Sequence, residues 1–197
     1  MMVARLSTDH ASITHDKSLI GNETPPANFH AFFHATFAGR CAGLRLMALI
    51  EEKIMSPFRT ITPNFSASPQ ISVADVAQAV RDGFTAVICN RPDNEDMGQV
   101  SAQEIAKACA DNGLSFTHIP VSGGIPEEAV PLMRDALAAS TGPVLAYCRS
   151  GTRSTNLWAL AEASAGGSPE ELVESGARGG YDLRGLMPLL RSLSQAH

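Results

Sequence analysis

The chain is short of the features that mark nucleic-acid binders, membrane proteins and disulfide scaffolds. Basic residues are outnumbered: 15 Lys and Arg against 20 Asp and Glu give a net charge of −5. No broad cationic surface is left for a phosphate backbone, so no nucleic-acid partner is expected. No run reaches the ~18 apolar residues that a membrane helix needs, and no membrane partner is expected. Residues 29–50 come closest, but His30, His34, Arg40 and Arg45 interrupt them. Asp9, His10 and Asp16 fall where the apolar stretch of a secretory signal would lie. The four cysteines, Cys41, Cys89, Cys109 and Cys148, form no CxxC pair. A disulfide framework is therefore not expected, and a cytoplasmic location is. Six histidines are scattered without metal-ligand spacing, so neither a metal nor a cofactor is expected.

What remains is an ordinary soluble composition, long enough for one domain with a sizeable core and an additional segment. Residues 1–54 have mixed composition, an Asn-Glu-Thr-Pro-Pro break at 22–26 and no clean period before Leu44. They read as an N-terminal extension, disordered or loosely helical. An organelle-targeting segment is the alternative, and their acidic residues and sparse arginines weigh against it. From Met55 to His197 the chain alternates strand-like and helix-like segments.

Arg59–Thr62 reads as a short edge strand. Ser72, with Asp75 three residues on, opens a helix that ends at Gly83. Phe84–Cys89 is a buried strand. Ser101-Ala102-Gln103-Glu104 is a capping box for a helix ending near Gly113. Ser115–Ile119 is another strand, and Pro126 opens a helix running to Ala139. Val144–Tyr147 is a buried strand. Helices over 154–165, 169–175 and 182–194 complete the chain. Strands separated by helices give an α/β fold, with a small central parallel sheet flanked by helices. In such sheets ligands bind beyond the carboxyl ends of the strands. Three loops meet there: residues 90–96, residues 120–124 and the loop that begins at Cys148.

That last loop, Cys148-Arg149-Ser150-Gly151-Thr152-Arg153-Ser154, carries the chemistry. A cysteine at a strand end, a short polar loop and a helix N-terminus form an anion cradle of backbone N–H groups. The same field lowers the thiol pKa, and the thiolate is the nucleophile. Arg153 can hold an oxyanion with two parallel hydrogen bonds. Ser150, Thr152 and Ser154 can add hydroxyl donors, and Ser154 can also cap its helix. Gly151 supplies an amide and freedom in the turn, and Arg149 can steer anions from outside. The substrate is a small anion, either a phosphate ester or a sulfane-sulfur compound.

Four residues separate Cys148 from Arg153. Tyrosine-type and dual-specificity phosphatases resemble this stretch but place five there. Single-domain rhodaneses resemble it in wording, Cys-Arg-Ser-Gly-x-Arg-Ser. Over residues 56–190 the chain resembles the bacterial beta-lactamase-hydrolase-like, phosphatase-like domain family, also filed as a sulfur transferase family. The resemblance rests on Phe65–Gln70, Gly83-Phe84, Asn90-Arg91-Pro92-Asp93, His118–Val121, Gly142–Ser154 with Leu157-Trp158, and Gly180–Leu183. It implies a cysteine-phosphatase-like fold similar to the dual-specificity phosphatases. Some family members carry a metallo-hydrolase-type domain, whose HxHxDH ligand pattern is absent here.

In the dual-specificity phosphatases an aspartate commonly follows the strand end matched here by Val121, and it protonates the leaving alkoxide. Here Ser122, Gly123 and Gly124 stand there. Sulfur transfer needs no such proton, because sulfite leaves as a stable anion. The leading expectation is therefore a sulfurtransferase. Cys148 takes a sulfane sulfur from thiosulfate or a small persulfide and passes it to a thiol acceptor such as glutathione. The alternative is a cysteine-based phosphatase with Asp93 as acid, ahead of Glu95 and Asp96. A non-catalytic anion- or partner-binding module is the remaining reading. Asp93 equally suits an ordinary turn. Arg91 either adds charge to the anion site or pairs with Glu95 and Asp96. Cys89 is a core residue or a resolving thiol; Trp158 and His118 read as core, and Asp182 as a cap.

A chain starting at Met55 should fold and keep its activity, because all the capped elements and site loops lie beyond it. Circular dichroism and turnover of that truncated protein check this. Loss of soluble, folded protein would show that residues 1–54 pack on the core.

Overall fold

The computed structural model describes residues 57–196. The expected extension and Cys41 lie outside the described residues. A hairpin opens the domain: β1 (Arg59–Thr62) pairs antiparallel with β2 (Phe65–Ser68). There follow α1 (Val73–Arg81), β3 (Ala86–Cys89), α2 (Ala102–Asp111), β4 (Ser115–His118), α3 (Ala129–Ala139) and β5 (Val144–Tyr147). Then come α4 (Thr152–Ser164), α5 (Pro169–Arg178), a short 3-10 turn at Arg184–Leu186 and α6 (Met187–Gln195). None of the helices among the described residues is long and apolar enough to cross a membrane.

The strand order is β1-β2-β5-β3-β4, and the pairings from β2 to β4 are parallel. The chain thus steps outward from β2 to β3 and β4, then returns to insert β5 between β2 and β3. Side chains alternate across the sheet with period two. Val87, Cys89, Leu145 and Tyr147 pack with α1 and α2 through Val76, Ala79, Ile105 and Cys109. Ala86, Ile88, Val144 and Ala146 join the opposite core with Met133, Leu157, Trp158 and Leu190. The connections α1 and α2 cover one face, and the return connection α3 covers the other. A sheet that reverses in this way opens a crevice at the carboxyl end of the reversing strand. That strand is β5, and Cys148 is the next residue.

Capping chemistry sets the helix starts as expected. Ser72 Oγ accepts the Asp75 N–H and Asp75 accepts the Ser72 N–H, at 3.4 and 2.7 Å. Ser101 and Glu104 make the same reciprocal pair at 3.2 and 2.9 Å. Other boundaries differ from the sequence reading. β3 begins at Ala86, because the Phe84 and Thr85 N–H groups are already given to Ala79 and Pro143 carbonyls. Pro126 closes a turn onto Ala129 and the helix starts there. α4 starts at Thr152, with Gly151 as its N-cap, so Ser154 lies within the helix and is not its cap. The hairpin strand β2 is an addition to the sequence reading, and β1 makes the sheet mixed at its edge.

Candidate functional site

The Cys148 loop is fixed from three sides. The Cys148 N–H donates to the Ser68 carbonyl at 3.3 Å, extending the β2–β5 ladder by one residue. The chain then turns back at Gly151, whose φ of +90° is left-handed. Glycine alone adopts that conformation without strain. A Cβ at this position would also stand 2.0 Å from the Tyr181 hydroxyl. Tyr181 is buried and donates to the Ser150 carbonyl at 3.4 Å, so it walls the loop from the C-terminal segment. Arg59 in turn lies over the Tyr181 ring, 5.5 Å from its centroid. Beyond the turn, the Gly151 carbonyl accepts both the Thr155 N–H and the Thr155 hydroxyl at 3.0 Å.

This arrangement aims amides at the sulfur. Gly151 N–H lies 3.1 Å from Cys148 Sγ. Burial pushes the thiol up, and backbone hydrogen bonds from Ser154, Ser150, Gly151 and Arg153 outweigh it, so the net pKa is lowered. The sulfur itself is fully buried. It lies under the loop, at the N-terminus of a 13-residue helix whose dipole favours negative charge.

Arg153 completes the cradle from α4. Its NH1 donates to Glu95 Oε1 and to the Val121 carbonyl, each at 2.6 Å, and NH2 donates to Glu95 Oε2 at 2.8 Å. The Nε–H and one NH2 hydrogen take no oxygen partner and form the side-on fork that matches an oxyanion, and Arg153 also hydrogen-bonds the Cys148 sulfur. The Cys148 sulfur adds to the field that keeps Arg153 charged.

The loop after β3 is an ion-pair ladder. Glu95 takes Arg153 and also Arg91 Nε, at 2.9 Å. Hydrogen bonds from Arg153, set against some desolvation and supported by Arg91, lower its pKa to about 2. Asp96 takes Arg91 NH2 and lies 3.3 Å from Arg149 Nε. Arg91 NH1 donates to Gln70 Oε1 at 2.9 Å. The ladder itself sets three guanidiniums against two carboxylates.

The structure therefore brings Cys148, Arg149, Ser150, Gly151, Thr152 and Arg153 together with Arg91 through Glu95 and Asp96. Arg91 takes the pairing option: all three of its nitrogens are given to protein groups. Arg149 is 67% exposed and turns its Nε side to Asp96. Ser150 and Thr152 hydroxyls bond one another at 3.1 Å on the exposed side of the loop. Ser154 is buried with its hydroxyl unpartnered among the described residues. Asp93 Oδ1 accepts the Ala102 N–H at 2.8 Å, so one of its oxygens braces the first turn of α2. Cys89 is buried and lies against the Arg91 carbonyl at 3.3 Å, and burial raises its pKa. Sequence reasoning missed Gln70, from the strand end of β2, and Tyr181, from after α5. A cleft of about 720 Å³ lies at the other end of the sheet, lined by Val144, Trp158 and Glu162. Its lining has no cysteine or histidine, and it is remote from the strand ends that carry Cys148.

The balance of amides over burial predicts an alkylation midpoint for Cys148 below the ~8.5 of a free thiol. Iodoacetamide rates against pH read it directly. A midpoint at or above the free value would contradict the cradle. Because the folded pKa is depressed, the thiolate's contribution to stability is full above the unfolded thiol pKa. It is lost as pH falls through the folded one.

Comparison with known proteins accords with this geometry. The sequence pattern of the family described as "Beta-lactamase hydrolase-like protein, phosphatase-like domain" matches residues 57–165. A beta-lactamase hydrolase-like protein of Agrobacterium fabrum is 33% identical over 125 residues, 62% of this chain but 29% of its own length. The chain thus spans less than a third of that relative. The crystal structure of a putative phosphatase from Neisseria meningitidis superposes with a TM-score of 0.61 at 30% identity, covering 71% of this chain and 99% of that one. TpbA of P. aeruginosa, solved in complex with pTyr, shares the fold at 17% identity and a TM-score of 0.51, covering 72% of this chain and 90% of its own. The chain belongs to the family of beta-lactamase hydrolase-like, phosphatase-like domains, and its fold is that of the cysteine phosphatases.

Proposed function

We propose that the protein is a cysteine-dependent phosphatase that hydrolyses phosphate monoesters through a phosphocysteine. The observation that carries the reading is the set of four loop amides converging on a buried Cys148, with the side-on edge of Arg153 beside it. The family's description as phosphatase-like and the phosphatase fold support the same reading, and none of the relatives' descriptions points to sulfur transfer. The expectation from the sequence alone is therefore reordered. The pTyr bound by TpbA supports a phosphate-bearing substrate for this chain.

In this mechanism the Cys148 thiolate attacks phosphorus from below. The amides of the loop and the side-on edge of Arg153 take the equatorial oxygens, where charge spreads in the transition state. The P–O bond to the leaving group breaks and the leaving oxygen takes a proton. Water then attacks the phosphocysteine, releasing phosphate and the thiolate. Glu95 is unsuited as the acid: a carboxyl with a pKa of about 2 carries no proton near neutrality. Asp93 is the better donor, through the oxygen not given to Ala102.

One observation favours a second reading. Glu95 and Asp96 are committed to arginines, and no carboxylate stands at positions 122–124 directly after Val121. The four-residue spacing also suits a smaller anion. Transfer of sulfane sulfur through a Cys148 persulfide to a thiol such as glutathione uses the same cradle and no acid.

Asp93→Asn separates the two. A phosphatase using Asp93 loses ~10²-fold or more in turnover of alkyl phosphates, while sulfur transfer from thiosulfate is nearly unchanged. Cys148→Ser abolishes either reaction and leaves the fold intact. Robust thiosulfate-to-thiol transfer with no phosphate-ester hydrolysis would overturn the phosphatase reading in favour of the second. Near-normal turnover in Cys148→Ser would sink both.

A further inference from the structure

Arg91 sits one ion pair away from the chemistry, and it is only 4% exposed. A buried guanidinium is costly to desolvate and is tolerated where its donors are all matched. Here each nitrogen has a partner: Glu95 on Nε, Gln70 on NH1 and Asp96 on NH2. The backbone is held as firmly. The Arg91 carbonyl accepts from Cys89 Sγ at 3.3 Å and lies 3.0 Å from His118 Nε2. A side chain so fixed is a rigid post in an otherwise exposed loop.

What the post holds is Glu95. That carboxylate lies in the exposed 93–98 stretch, where Asn94 has a left-handed φ of 62°. Beyond the arginines, Gln99 braces it by taking the Glu95 N–H at 3.1 Å. Glu95 Oε2 accepts from both Arg91 Nε and Arg153 NH2, so one oxygen links the two guanidiniums. The link does two things. It fixes the end-on edge of Arg153, so the side-on fork is presented beside Cys148. It also divides the Glu95 charge between two cations, so Arg153 is not neutralised by a carboxylate of its own. A surface Glu–Arg pair without the buried post would hold neither the geometry nor the field, because exposed pairs gain little and move freely.

We propose that Arg91 is a positioning residue: through Glu95 it fixes the guanidinium of Arg153 in the orientation that binds the substrate oxyanion. The proposal rests on the Cys148 loop being the anion site, and its test reads anion affinity separately from turnover.

Tungstate is the probe, as a tetrahedral oxyanion that needs no chemistry. Its dissociation constant is measured by calorimetry for the parent, Arg91→Lys, Glu95→Gln and the double variant. Lysine keeps the charge but cannot reach Glu95, Gln70 and Asp96 together. Each single variant should weaken tungstate about tenfold or more, the loss of one charge-assisted hydrogen bond. The double variant should be no worse than the weaker single, because both act through one link. The Cys148 alkylation midpoint should rise only slightly in Arg91→Lys, since the loop amides set most of it and Arg153 the rest. Millimolar guanidinium should restore part of the affinity to Arg91→Ala, a rescue that a purely structural role does not give. Unchanged tungstate affinity in folded Arg91→Lys, or additive losses in the double variant, overturns the proposal. If Arg91→Lys does not fold, Glu95→Gln carries the test, and parent-like affinity there overturns it too. A parent that binds tungstate but turns over no phosphate ester sinks the phosphatase reading and leaves the positioning role standing.

Discussion

Backbone amides converging on one buried sulfur are the constraint on which the rest of the site depends. A buried thiol resists ionisation, and burial alone would leave Cys148 inert. The loop reverses that only if its N–H groups turn inward, and they do so because Gly151 accepts a left-handed φ of +90°. Tyr181 then closes on the space a side chain would need. Cradle, helix start and tyrosine wall are thus one solution to a single backbone requirement. The topology supplies the location: β5 is inserted between β2 and β3, so its loop has strand ends on both sides from which to draw partners.

Electrostatics build outward from that centre in alternating sign. The thiolate meets amides and Arg153, Arg153 meets Glu95, Glu95 meets Arg91, Arg91 meets Asp96, and Asp96 meets Arg149. Each inner charge is paired on two sides, which is how a low local dielectric tolerates them. The Glu95 pKa of about 2 gives the ladder a definite acid limit. Because that pKa is depressed, its stabilisation is full above the unfolded carboxylate value and fades as pH falls towards 2.

Much of this was legible in the sequence, for local reasons. Capping boxes at Ser72 and Ser101, the apolar run at Val144–Tyr147 and the Cys148–Arg153 spacing are short-range signals, and the elements they announce are present. The illegible parts depend on distant partners. β2 is Phe-Ser-Ala-Ser, four residues too short for their alternation to stand out, and it is a strand because β1 and β5 flank it. α4 is buried almost all round, so no amphipathic stripe marks where it begins. Nothing local tells that Arg91 is buried or that Gln70 and Tyr181 reach the site from 21 and 31 residues away. The order of the two chemistries was also beyond the loop's wording. The Cys-Arg-Ser-Gly-Thr-Arg-Ser stretch resembles rhodaneses, while the fold around it is that of phosphatases.

The most direct test of the central claim is the mass of Cys148 itself, read by mass spectrometry of protein quenched in acid during turnover of an aryl phosphate. The account predicts one added phosphoryl group on the Cys148 peptide. An unmodified Cys148 peptide under phosphate turnover, with phosphate carried on another residue, would contradict the account. So would a protein in which neither an aryl phosphate nor thiosulfate ever marks the Cys148 sulfur.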